Sequence, residues 1–385
     1  MKLERHEEVA LELVRGLLWG SEVTIPEDFK DTDSLMAFAK NQSILAVMAK
    51  SILSDTEFQS HMPSAQRLKL KSVLVSNVMT FNSMTEVLKK TVLALNEAGV
   101  PSILLKGHSM AVNYPYPELR QCGDIDLYVG TENALKTHEV LSGFSKKIDP
   151  QSDAMWGKHF SAFVDDIEIE VHRHTSTHAT RKFARIFSQA AEKGLSQNLS
   201  QVTYDGVQID TPSVDFNAYY IFDHLFEHFL TSGIGLRHMI DWMLFLHANK
   251  ENIDHQALKD LITSMDALEP WQVFGCILVN HLGLPQQEFP LYPEADKAEV
   301  MAGKADAAFQ FILSDGNFGK STAYYTRRSK NYFLTKLNAI WCHITRGAKM
   351  MKLFPRQELR HFQYIIENYF IHLCGDIKRK LNNGR

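Results

Sequence analysis

Apolar residues recur at helical spacing from the start of the chain. Between about residues 4 and 19, Val9, Leu13, Leu17 and Leu18 fall on one face, and Gly20 is a natural stop. Asp31-Thr-Asp-Ser34 supplies N-cap residues ahead of two further apolar-rich runs, 35–38 and 44–48. A long helical pattern covers residues 64–98, with Leu68, Val75, Met79, Leu88, Val92 and Leu95 among its apolar positions, and Gly99 closes it. At Val100 the period changes. Ile103-Leu-Leu105 is a short apolar run between Pro101 and Gly107, which predicts a buried strand. A short helix at 109–114 leads into Tyr114-Pro-Tyr-Pro117, a loop because proline disfavours helix continuation. Strict alternation then predicts a strand over 123–129, and strands over 158–164 and 167–172 around Asp165-Asp166. A helix is predicted over 132–144, and a hairpin across Asp205-Gly206 joins 201–204 to 207–210.

Beyond Pro212 the helical period returns, strongly at 214–230 and 236–248 and more weakly at 254–265, 270–282, 295–314, 330–346 and 356–380. The layout predicts an α+β protein: a mixed β-sheet core flanked by N-terminal and C-terminal helical regions. Boundaries are expected near 1–84, 85–212 and 213–385.

Composition narrows the function. A chain of 385 residues with 45% apolar and 22% charged positions can bury a large core. The formal charge of −4 supplies no global basic field, so a long nucleic acid is not an expected partner. The four cysteines are scattered without CxxC spacing, which suits a reducing compartment. The charged Met1-Lys-Leu-Glu-Arg start lacks a signal-peptide apolar run, and no apolar stretch is long enough to span a bilayer. A cytoplasmic protein is expected.

The alternating strands carry the candidate chemistry. In Asp124-Ile-Asp126 both carboxylates point to one face and Ile125 to the other, so apolar burial on one side presents paired oxygens on the opposite side. Hard cations such as Mg²⁺ take such ligands. In Ile167-Glu-Ile-Glu-Val-His172 either Glu168 or Glu170 can supply a third carboxylate, since both lie on one face. Lys106-Gly107-His-Ser109 ends the first strand. A glycine there lets backbone approach a phosphate, with the Ser109 hydroxyl and Lys106 charge as further ligands. Arg120 reads as a phosphate ligand or as a partner of Glu118. His172, His174 and His178 invite a zinc reading, but no HExxH motif occurs and no zinc site is expected. His224 and His228 share a helix face, Arg237 and Asp241 have ion-pair spacing, and Lys158-His159 at a strand start can reach a phosphate. The basic runs at 349–360 and 378–385 read as solvated helix ends.

Taken together, the strand, glycine turn, Asp-x-Asp and later acid resemble the nucleotidyltransferase superfamily that includes DNA polymerase β. The run Leu105-Lys-Gly-His-Ser-Met-Ala-Val-Asn-Tyr-Pro-Tyr-Pro-Glu-Leu-Arg-Gln-Cys-Gly-Asp-Ile-Asp-Leu-Tyr-Val129 more closely resembles the bacterial family of uncharacterised nucleotidyltransferases. Its later acid-x-His strand is similar to Glu170-Val-His172, which favours Glu170 over Glu168. Two departures stand out: the interval from Gly107 to Asp124 is long, and His108 precedes Ser109. The resemblance implies an enzyme in which Asp124, Asp126 and Glu170 hold Mg²⁺ or Mn²⁺. Lys106, Gly107, Ser109 and Arg120 would hold the nucleotide. An NTP would donate its nucleoside monophosphate to an unknown hydroxyl acceptor, releasing pyrophosphate. A non-catalytic nucleotide-binding or antitoxin-like protein, and a metal phosphohydrolase, are the alternatives.

Overall fold

The structure, a computed structural model, describes residues 2–26, 28–175, 180–317 and 332–363. Its centre is a five-stranded mixed sheet of order β1-β2-β5-β4-β3. The strands are β1 (Ile103–Leu104), β2 (Ile125–Tyr128), β3 (Lys147–Ile148), β4 (His159–Val164) and β5 (Ile167–His172). A separate two-stranded sheet joins β6 (Ser200–Tyr204) to β7 (Val207–Thr211). β2 and β5 run parallel, and the other pairs are antiparallel. The expected strands are present, with β2 trimmed to residues 125–128 so that Asp124 immediately precedes it. The expected helix at 109–114 is a single turn, His108–Ala111.

Apolar burial fixes the sheet. Ile125, Leu127, Phe160, Ala162, Val164, Ile169 and Val171 are all fully buried on one face. They pack against Met84, Leu88, Val92 and Leu95 of the long helix Ser64–Glu97 and against Ala134 and Leu141 of the helix Gly130–Ser142. Each large aliphatic there contributes roughly 1.5–3 kcal/mol relative to exposure. A one-residue slip of β2 would exchange Ile125 and Leu127 for Asp124 and Asp126 in that core, so the register is strongly specified. The acids therefore occupy the opposite face.

That face is roofed by the helices Val214–Thr231 and Leu236–Asn249. The roof belongs to a second, larger core, to which the N-terminal helices Arg5–Trp19, Thr32–Asn41 and Leu45–Ser54 also contribute. Gln42 is fully buried at its centre. Its carboxamide accepts from the Leu236 N–H at 2.9 Å and donates to the carbonyls of Ile312 and Leu313 at 3.1 and 2.9 Å. The Trp19 indole donates to the Leu282 carbonyl at 2.8 Å. The two helical ends of the chain thus build one body around the sheet.

Beyond the sequence reading lie β3, the short helices Thr56–His61 and Gln151–Trp156, the helix Arg181–Gly194, and the 3-10 turns Pro117–Leu119 and Gln286–Glu288. The expected helix at 330–346 is observed as Tyr332–Leu353, and of the one at 356–380 residues 355–363 are helical. The rest of that stretch, the basic run 378–385 and His178 lie outside the described residues. No helix among the described residues is long and apolar enough to cross a membrane.

Candidate active site

Parallel pairing of β2 with β5 sets Asp126 directly beside Glu170. Oxygens of Asp124, Asp126 and Glu170 all lie within 4.8 Å of one another. Glu168, two residues back, instead accepts from the Ser161 hydroxyl at 2.7 Å. The three carboxylates border a cavity of about 370 Å³ between the sheet and the two roofing helices.

Their environments differ. Burial, and then the Asp126 charge beside it, push the Asp124 carboxyl up. Burial acts likewise on Asp126, but the Lys106 ammonium and a hydrogen bond from His172 outweigh it and hold that carboxylate well below its usual range. Lys106 Nζ is 3.4 Å from Asp126 Oδ1, and His172 Nε2 is 2.8 Å from the same oxygen. For Lys106, burial works against the charge, yet Asp126 keeps the ammonium protonated well above its ordinary range. One carboxylate thus stays charged, while its neighbour takes a proton more readily than an ordinary aspartate.

Gly107 makes the close approach of the β1 turn possible. Its φ of 68° and ψ of −116° suit glycine alone, and a Cβ there would sit 3.5 Å from Asp126 Oδ2. Lys106 and Gly107 line the cavity.

Ser109 and Arg120 are placed differently. Ser109 is 2% exposed, lies off the cavity lining, and donates its hydroxyl proton to the Leu105 carbonyl at 2.8 Å. Arg120 reaches the cavity wall, but its partner is Asp241, not Glu118. Nε and one terminal nitrogen donate to the two Asp241 oxygens at 2.9 and 2.7 Å. Tyr114 adds a third hydrogen bond to Asp241, at 2.7 Å. In this arrangement neither Ser109 nor Arg120 holds its donors ready for a phosphate.

The expected Arg237–Asp241 pair is accordingly replaced by Arg120–Asp241. Arg237 sends one terminal nitrogen to the Gln121 carbonyl at 2.6 Å, while its buried Nε has no partner among the described residues. Burial, and then Arg120 beside it, disfavour its charge, and the side chain lines the cavity. An unbalanced guanidinium at a cavity wall is a ready anion ligand. Lys158 lines the cavity from the sheet side. His224 and His228 do so from the roof, with ring centroids 4.5 Å apart. Burial, and then Lys106, push His224 well below the usual histidine range and His228 down to about 4, so both rings are neutral at pH 7.

The sequence profile of the family described as uncharacterised nucleotidyltransferase matches residues 28–282, which is most of the chain. The chain belongs to this family. The matched range of this family member contains every residue of the site described above. No curated protein matches it. Among solved structures, an antigenic nucleotidyltransferase-like protein from Paracoccidioides brasiliensis is similar at 11% identity, over 53% of this chain and 93% of that one, with a TM-score of 0.33.

Proposed function

We propose that this nucleotidyltransferase family member moves a nucleoside monophosphate from an NTP to a hydroxyl acceptor and releases pyrophosphate, with Mg²⁺ or Mn²⁺ held by Asp124, Asp126 and Glu170. The observation that carries the reading is the convergence of these three carboxylates at the edge of a cavity that Lys106, Lys158 and Arg237 also line. An all-oxygen donor set fits a hard divalent cation. Bound there, such an ion neutralises the triphosphate and lowers the pKa of an acceptor hydroxyl.

The chain's own residues do the rest. Lys106 sits on Asp126, from which a salt-bridged ammonium can turn to a phosphate oxygen as the substrate arrives. Arg237 and Lys158 contribute charge from opposite walls, so the triphosphate tail lies between sheet and roof. Gly107 keeps the β1 turn close to the acids. Catalysis then consists mainly of positioning and charge neutralisation, with no covalent step on the protein.

The test measures NTP-dependent pyrophosphate release with Mg²⁺ or Mn²⁺ across a panel of small hydroxyl acceptors. The Asp124→Asn/Asp126→Asn double variant is expected to abolish release. Unchanged release in that variant would remove these acids from the mechanism, and free phosphate without acceptor would mark a hydrolase instead.

A further inference from the structure

We propose that His159, Glu170 and His172 form a second cation site, one that selects a transition-metal ion such as Zn²⁺ over Mg²⁺. The hairpin of β4 and β5 turns on Asp165 and Asp166, both at positive φ, and its register sets His159 directly opposite His172. Alternation puts Glu170 on the same face as His172. His159 Nδ1 is 3.0 Å from Glu170 Oε1, and His172 Nε2 is 3.6 Å from that oxygen; this nitrogen bonds Asp126 Oδ1 at 2.8 Å, a bond it would give up, with its proton, on ligating. All three donor atoms lie within 4.8 Å of one another. Around a tetrahedral ion with bonds of about 2.0–2.1 Å, neighbouring ligand atoms are about 3.3 Å apart. The donors therefore stand close to ligating geometry, and three protein ligands leave one position open for water or substrate.

The donor chemistry decides the ion. Two imidazoles and one carboxylate suit Zn²⁺, Co²⁺ or Mn²⁺, whereas Mg²⁺ prefers oxygen throughout. Glu170 belongs to both sets, so the nitrogen-bearing site adjoins the oxygen-only site. Among the described residues only Lys106 pairs as a lysine or arginine with the three acids, so the local field attracts a dication. The run His172, His174 and His178 by itself predicts no zinc site; His174 is exposed and outside the cluster, and His159 and Glu170 stand with His172 instead.

Binding is read without turnover, so the result is independent of whether the chain transfers nucleotides. The full-length protein is freed of metal with a chelator and titrated with Co²⁺ in the presence of excess Mg²⁺. One Co²⁺ per chain is expected, with the visible bands of a low-coordinate, nitrogen-ligated ion; six-coordinate oxygen-only Co²⁺ absorbs far more weakly. His159 is nearly half exposed at a strand start, so His159→Ala leaves the core intact, as circular dichroism verifies. It should lose those bands and at least about tenfold in Co²⁺ affinity, one of three ligands being gone. Asp124→Asn, outside the set, should keep the bands. Bands and affinity unchanged in His159→Ala, or Mg²⁺ displacing Co²⁺ at comparable concentration, would overturn the proposal.

Discussion

Two donor groups of the Arg120 fork are bound to Asp241, and both side chains are buried, at 4% and 7% exposure. Arg237, one helical turn before Asp241, keeps its Nε without a partner among the described residues. Removing Arg120 leaves a buried uncompensated carboxylate, so Arg120→Ala should cost about 3–5 kcal/mol in urea unfolding. Arg237→Ala should keep the fold and weaken nucleotide binding by about tenfold or more, the scale of one charge-assisted hydrogen bond, read by calorimetry. His108 makes a prediction in pH. It is fully buried, stacked on Phe81 at 4.5 Å, bonded to Thr85 at 2.9 Å, and pushed down to about 3, first by burial and then by Arg120. Its pKa is lowered on folding, so its contribution is present above the unfolded value of about 6.5 and is lost as pH falls through 3. His108→Phe keeps the stack, and Thr85 keeps its bond to the Phe81 carbonyl. The urea midpoint should fall less between pH 7 and pH 4 in that variant than in the parent. At this scale the pair Asp124 and Asp126 was legible because a period-two pattern states which residues share a face, whereas alternation left Glu170 level with Glu168 and only the family resemblance favoured it. The partner of Arg120 was not legible: Asp241 lies 121 positions away and is brought in by packing alone.

At the scale of elements, the turn between β1 and β2 and the β4–β5 hairpin do most of the positioning. Gly107 occupies backbone space closed to other residues, so Gly107→Ala should cost about 1–3 kcal/mol of strain. Its new methyl would also lie against Asp126 Oδ2. Cation affinity, measured by Mn²⁺ titration, should therefore fall, and Gly99→Ala, also at positive φ but in open space, serves as the strain control and should leave it unchanged. The register of the hairpin follows from the sequence alone. A two-residue turn at Asp165-Asp166 fixes Val164 opposite Ile167, and counting back places His159 opposite His172. The helix Arg181–Gly194 carries Phe183, Ile186, Phe187 and Ala190 at helical spacing opposite a charged face, an amphipathic pattern that was legible in the sequence. β3 has only two residues, too few to establish a period.

For the molecule as a whole, the roof over the acids is only as rigid as the helical body it belongs to. Gln42 ties the start of the helix Leu236–Asn249 to the end of the helix Ala295–Asp315. Gln42→Ala would strand one buried N–H and leave two carbonyls short of a partner, so a loss of about 2–4 kcal/mol in urea unfolding is expected. Because Arg237 lies next to Leu236, the same variant should weaken nucleotide binding beyond what global stability explains, measured where both proteins are fully folded. Sequence periodicity revealed helices at both ends of the chain. That they share one core was not visible, because a helical stripe records that a face is buried and not what buries it.

The shared core has a bearing on synthesis. Trp19 and the Leu282 carbonyl it caps are 263 residues apart. At ribosomal rates of about 5–20 residues per second, the N-terminal helices wait roughly 13–50 s for that partner to emerge. The sheet, whose strands fall within a compact middle segment, is complete long before. The nascent chain therefore carries a finished central sheet while the part of the first helices' apolar stripes that meets the C-terminal helices is still uncovered. In that interval the acids face water, and the protein depends on whatever shields those stripes until its last third is made.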